Sequence, residues 1–264
     1  MSRVAIVTGA ARGIGAATVA GLAADGWRVV AVDRGSDDPR LPYALGGVAE
    51  LEDVVAAADA AAGEERARAE VADATDAVAM GAVVERAEEW GEVEAIVANA
   101  GVIAGGVPAW ELPQEEEDAV VEVCLRGVMV AARVGIPALL RRPEPRRGRF
   151  VATASTAALR GLPGLAAYCA AKAGVSGFVR AIAADLRGTG VTASAVAPGS
   201  TDTPILAESA RLYELDGASD FAAQQPIERL IDPAEVAAMI AWLCGPGGAA
   251  VTGTTVSVDG GLSI

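Results

Sequence analysis

A short apolar run, Val4-Ala5-Ile6-Val7, passes directly into Thr8-Gly9-Ala10-Ala11-Arg12-Gly13-Ile14-Gly15, and an alanine-rich helical pattern, Ile14 to Asp25, begins at once. A strand that feeds a helix through a glycine turn is the opening half of a βαβ unit. The same alternation repeats along the chain. Strands are expected at Val29–Val32, Ala69–Val71, Ala95–Ala98, Phe150–Ala154, Val191–Ala197 and Thr255–Val258. Helices are expected at 49–62, 75–90, about 114–140, 165–186 and 233–243. Apolar strands that alternate with helices belong in a parallel sheet covered on both faces. With right-handed crossovers this gives an α/β, Rossmann-like doubly wound sheet, read as one domain spanning residues 1–264.

The glycines set the chemistry of the first turn. They let backbone N–H groups approach a pyrophosphate at a helix N-terminus, so Gly9, Arg12, Gly13, Ile14 and Gly15 are candidate dinucleotide contacts. Asp33 ends the second strand, where a carboxylate can accept hydrogen bonds from an adenosine ribose. It would repel a 2′-phosphate, which favours NAD over NADP. Arg12 and Arg34 point the other way, since either can meet a phosphate.

Of 21 Lys and Arg residues, the one lysine is Lys172, four residues after Tyr168, one of three tyrosines. That spacing stacks both side chains on one face of a helix. A lysine ammonium is a compact point charge that a planar guanidinium does not replace. A tyrosine phenol has an ordinary pKa of about 10 and is a poor base at neutral pH. A nearby ammonium and an oxidised nicotinamide ring both favour its phenolate, which fits it for general acid/base work. Ser155 follows the fifth strand and lies where ligands bind in open sheets. Ser155, Tyr168 and Lys172 are therefore the candidate catalytic group. A strand-end serine and a surface tyrosine–lysine pair is the bland alternative.

Composition narrows the partners. A net charge of −14 argues against nucleic acid or an anionic membrane surface. With no histidine in the chain, histidine triads, shuttles and metal sites are excluded, and the three cysteines lack metal-ligand spacing. The expected compartment is the cytoplasm.

With these motifs in order, the chain resembles the short-chain dehydrogenase/reductase family over nearly its whole length. The resemblance implies further cofactor contacts at Asp73 and Ala74, at Asn99-Ala100-Gly101, and at Pro198-Gly199 with Thr201 and Thr203. Tyr168 and Lys172 are implied to touch the cofactor as well. It also implies a homotetramer. One departure stands out: Cys124 occupies the position in Val123-Cys124-Leu125-Arg126-Gly127 where the family usually has an asparagine that orders a water in a proton relay.

The connection from Arg34 to Val48 has about fifteen residues where 2–6 are usual. Its Leu41, Tyr43 and Leu45 have something to bury, and the segment can fold over a bound dinucleotide. Such an insertion resembles the mycofactocin-associated branch of the family, in which NAD is retained and reoxidised in place by a peptide-derived cofactor. The substrate wall is expected from Val102, Ile103, Trp110, Leu159, Leu162, Ile205, Leu206, Tyr213 and Phe221, which suits a hydrophobic secondary alcohol or its ketone. Two other readings stay open: an NADP-dependent carbonyl reductase, and a dinucleotide-binding sensor or scaffold without turnover.

Overall fold

Seven parallel strands form the core of the computed structural model, which describes residues 2–264. They are β1 (Arg3–Thr8), β2 (Arg28–Asp33), β3 (Ala67–Val71), β4 (Glu92–Ala98), β5 (Arg149–Thr153), β6 (Thr192–Pro198) and β7 (Thr255–Val258). Their order in the sheet is 3-2-1-4-5-6-7, and every pairing is parallel. The central strands are apolar on both faces because both faces are covered. Ile6 packs on one side with Met80, Trp90 and Phe150; Val7 packs on the other with Leu22, Trp27 and Ile240.

The helices are α1 (Gly13–Ala24), α2 (Val48–Ala62), α3 (Ala77–Trp90), α4 (Gln114–Val121), α5 (Gly127–Leu140), α6 (Ala166–Asp185), α7 (Pro204–Leu212) and α8 (Pro233–Cys244). Several starts are written in the chain. Asp76 caps α3 by accepting from the N–H groups of Val78 and Ala79, and Asp232 with Glu235 closes a capping box on α8. Thr203 caps α7 through the Leu206 N–H, with Pro204 in the first turn. This helix is absent from the sequence reading, which left the region as part of a substrate wall.

The long helix expected from 114 to 140 is present but not uniform. Between α4 and α5 the residues Glu122–Arg126 form a π-helical turn. The whole run is long and apolar enough to cross a membrane by length and composition; half of its most apolar window is buried within the protein.

Strand order reverses direction between β1 and β4, so the loops after these strands part and leave a crevice at the carboxyl ends. The first glycine turn, the Asn99 segment and the loops after β5 and β6 all open onto it.

Candidate functional site

The crevice continues into a cavity of about 530 Å³. It runs from Asp33 and Asp73 at one end, past the first glycine turn, to Ser155, Tyr168 and Lys172 at the other. Gly9, Arg12, Gly13, Ile14, Ala74, Asn99, Ala100, Gly101, Pro198, Gly199, Thr201 and Thr203 all line it. Gly15 does not. It lies behind Gly9, where an added β-carbon would stand 1.9 Å from the Gly9 carbonyl oxygen. Its role is to let α1 start close beneath the turn. Gly9 has φ +66°, and a β-carbon there would meet the Ala100 backbone at 2.7 Å. The turn is thus a cradle that side chains would fill, as a backbone-lined dinucleotide site requires.

Thr8 and Asn99 stitch the strand ends together. The Thr8 hydroxyl accepts from the N–H groups of Asn99 and Ala100, at 3.0 and 3.1 Å. The Asn99 amide donates to the carbonyls of Thr8 and Gly9, both at 3.2 Å, and its oxygen accepts from the Thr153 hydroxyl at 3.0 Å. Asn99 borders the cavity while its side chain is spent on holding the floor.

At the other end, α6 carries Tyr168 and Lys172 one turn apart. The Lys172 Nζ is 5.6 Å from the Tyr168 ring centroid and donates to the Thr153 carbonyl at 2.8 Å. Lys172 is 3% exposed, and burial pushes its pKa down. Tyr168 moves the opposite way to the sequence expectation. Burial raises its phenol pKa first and the neighbouring Cys124 adds to this, while a hydrogen bond with Ser155 acts against them.

Cys124 is fully buried in the π-helical turn. Its thiol donates to the Val102 carbonyl at 3.1 Å and receives the Val102 N–H at 3.4 Å. A β-carbon built on Gly101 would lie 3.6 Å from Lys172 Nζ and 3.7 Å from Cys124 Sγ, so the thiol and the ammonium flank one small space.

The 34–48 segment folds across the opening as a strap. Its Tyr43, Ala44, Leu45 and Gly46 line the same cavity as the glycine turn and Tyr168. Leu41 is buried with Val102, Val120 and Cys124, and Tyr43 and Leu45 pack against that cluster. The Tyr43 hydroxyl accepts from the Ile103 N–H at 2.8 Å, and burial raises its pKa. Asp38, 1% exposed, ties the strap down. It binds Arg34 Nη1 at 2.7 Å and Arg40 Nη2 at 2.7 Å, and Arg40 reaches on to Glu122 at 2.7 Å.

Two of the expected wall residues are elsewhere. Trp110 is 85% exposed and Leu159 is 50% exposed, and neither borders the cavity. Val102, Ile103, Leu162, Ile205, Leu206, Tyr213 and Phe221 do border it. Arg160 and Leu215 also line it, within the expected wall regions 157–162 and 204–225, while sequence reasoning missed Leu165 and Leu262. Leu262 arrives from the C-terminal segment, whose carbonyl accepts from Arg160 Nη1 at 2.7 Å; no local pattern signals that return.

The family model described as enoyl-(acyl carrier protein) reductase matches residues 9–263. Cis-4-hydroxycyclohexanecarboxylate dehydrogenase of Sinomonas cyclohexanicum is 38% identical, covering 99% of this chain and 96% of its own. Carveol dehydrogenase from Mycobacterium avium in complex with NAD superposes with a TM-score of 0.90 at 26% identity, covering 98% and 97% of the two chains. A variant of actinorhodin polyketide ketoreductase with NADPH superposes with a TM-score of 0.87 at 35% identity, covering 99% and 97%. Of these two structures, one holds NAD and the other NADPH.

Proposed function

The chain belongs to the short-chain dehydrogenase/reductase family, and from that premise we propose that it transfers hydride between NAD and a hydrophobic secondary alcohol or its ketone. The observation that carries the reading is that Ser155, Tyr168 and Lys172 share one cavity with a glycine cradle and a strand-end carboxylate. The glycine turn and the start of α1 would hold the pyrophosphate, Asp33 the adenosine ribose, and Pro198, Gly199 and Thr203 the nicotinamide end. When bound there, the dinucleotide supplies a hydride acceptor or donor.

The protein's own share is proton transfer and positioning. Tyr168 takes the hydroxyl proton of the alcohol as hydride leaves the carbinol carbon; in the reverse direction it returns a proton to the ketone oxygen. Ser155 donates a hydrogen bond to the same oxygen and fixes it in front of the phenol. Lys172, held on the Thr153 carbonyl, places positive charge below the ring. The apolar wall of Ile103, Leu162, Leu206 and Phe221 excludes water and favours an apolar substrate.

Asp33 supports NAD over NADP. Its Oδ2 accepts from the Ala11 N–H at 3.0 Å, which fixes the carboxylate at the end of β2, where it would meet an adenosine ribose and repel a 2′-phosphate. The strap supports a tightly held cofactor, because residues 43–46 line the cavity beside the glycine turn and would fold against a bound dinucleotide. Under this reading the cofactor is reoxidised in place, with mycofactocin as the acceptor, and the working unit is a homotetramer.

The test is a screen of secondary alcohols with either added NAD or an artificial dye as acceptor, alongside mass spectrometry of dinucleotide released on denaturation. Turnover with dye and retained NAD(H) is the expected result. A protein that reduces no dye and no NAD with any alcohol, while still holding the dinucleotide, would favour the sensor reading.

A further inference from the structure

We propose that Asp38 and Glu50 are cofactor-specificity residues, which keep the site closed to NADP by occupying the two arginines that would otherwise bind its 2′-phosphate. The inference rests on the NAD reading above and adds a cause to it that Asp33 alone does not supply.

Both arginines border the cavity at the adenosine end. Arg12 sits inside the glycine turn and Arg34 follows Asp33 directly. In either position a free guanidinium would bind a phosphate dianion through paired N–H groups. Neither is free. Arg12 makes a two-pronged bond to Glu50, with Nε and Nη2 each 2.7 Å from a carboxylate oxygen, and its Nη1 donates to the Ala44 carbonyl of the strap at 3.1 Å. Glu50 also accepts from the Gly47 N–H at 2.8 Å, so it is fixed at the start of α2. Arg34 Nη1 is 2.7 Å from Asp38 Oδ2, and its Nε is 3.6 Å from Asp73 Oδ2.

Geometry holds the half-exposed Arg12–Glu50 pair, and burial of Asp38 holds the Arg34 pair. Arg12, Arg34 and Arg40 face Asp33, Asp38, Asp73, Glu50 and Glu122, so the adenosine end is net negative even with its arginines in place. Turning Arg34 toward a phosphate would strip one of the two cations from a carboxylate that is 1% exposed. Asp38 would keep Arg40 but lose a charge-assisted hydrogen bond of 2.7 Å, with no water to replace it. Turning Arg12 away would break a two-pronged pair and release the Ala44 carbonyl together. A dinucleotide without the 2′-phosphate demands neither movement.

The experiment reads dinucleotide content. Wild type, D33S, D33S/E50Q and D33S/D38N/E50Q are equilibrated with equimolar NAD and NADP, freed of unbound nucleotide, denatured, and the released NADP-to-NAD ratio is measured. The ratio should rise only slightly in D33S, because both arginines remain paired. It should rise about tenfold further in D33S/D38N/E50Q. Adding R12A and R34A to that background should abolish the gain, which separates freed arginines from mere loss of negative charge. If D38N disturbs the strap and nucleotide is lost, D33S/E50Q decides alone, since Glu50 is a surface residue at the edge of the site; it should exceed D33S by about threefold. A D33S ratio equal to those of D33S/E50Q and the triple variant would overturn the proposal and leave the NAD reading intact. Wild type that retains NADP over NAD would overturn the NAD reading itself.

Discussion

The Tyr43 hydroxyl accepts the Ile103 N–H at 2.8 Å, which joins a loop that leaves the sheet beside the adenosine site to the wall of the substrate pocket. One segment therefore touches both ends of the cavity. Its near end is bonded by Asp38 and Arg40, and its far end by this phenol and by the Ala44 carbonyl, which accepts from Arg12.

Replacing Tyr43 with Phe keeps the packing against Val102 and Leu41 but leaves the Ile103 N–H unpaired. The cost is about 0.5–1.5 kcal/mol in the closed strap. Release of bound NADH, followed by its fluorescence, should accelerate by roughly two- to tenfold. The melting temperature without nucleotide should change little. An unchanged release rate would mean that the strap is not latched by this contact.

Much of this was legible in the chain. The glycine turn, Asp33 and the Tyr168–Lys172 spacing are local patterns, and the structure places them in one cavity. The excess length of 34–48 signalled a strap with Leu41, Tyr43 and Leu45 to bury; Leu41 is buried, and Tyr43 and Leu45 are partly buried against the same cluster. The π-helical turn at Glu122–Arg126 was not legible. Its apolar positions read equally well as an ordinary helix, and the extra residue in the turn is settled by what it reaches, the Val102 backbone. Trp110 was misplaced because hydrophobicity alone was taken to mean an inward direction; the loop leaves it in solvent. The start of α7 carried its signal in Thr203-Pro204, a capping residue followed by a first-turn proline.

Cys124 ties the π-helical turn to the backbone that follows β4, offering both a donor and an acceptor to Val102. Cys124→Ser should keep both bonds and near-normal turnover. Cys124→Ala leaves two buried backbone groups unpaired, which costs about 1–3 kcal/mol. In a chain of this size that lowers the melting temperature by about 2–4 °C for each kcal/mol. Equal stability for Ala and Ser variants in a thermal melt would show that the thiol is only a space-filler.

Lys172 tests the argument from lysine scarcity. Its Nζ is buried beside Tyr168 and bonded to the Thr153 carbonyl, a single-point contact that a planar fork does not reproduce. Lys172→Arg should lower turnover by about 10²-fold or more, comparable with loss of a positioned proton-transfer partner. Tyr168→Phe should be at least as severe while dinucleotide content, measured after denaturation, stays at the wild-type level. A Tyr168→Phe variant with near-normal rates would remove the phenol from the mechanism.

The raised pKa of Tyr168 sets the sign of the pH dependence. Oxidation needs the phenol as its anion, and burial together with Cys124 favours the neutral form. Below the phenol pKa the reactive anion grows tenfold with each pH unit. In the oxidation direction kcat/KM should therefore climb with a slope near one from about pH 6 upward. Reduction needs the protonated phenol, which is already the main form at neutral pH, so its profile should be flat over the same range. Burial is the main cause of the raised pKa, so the rise in the oxidation direction should persist in Cys124→Ser with its slope unchanged. Matched profiles for oxidation and reduction, each determined by initial rates across the same buffers, would exclude Tyr168 as the group that titrates.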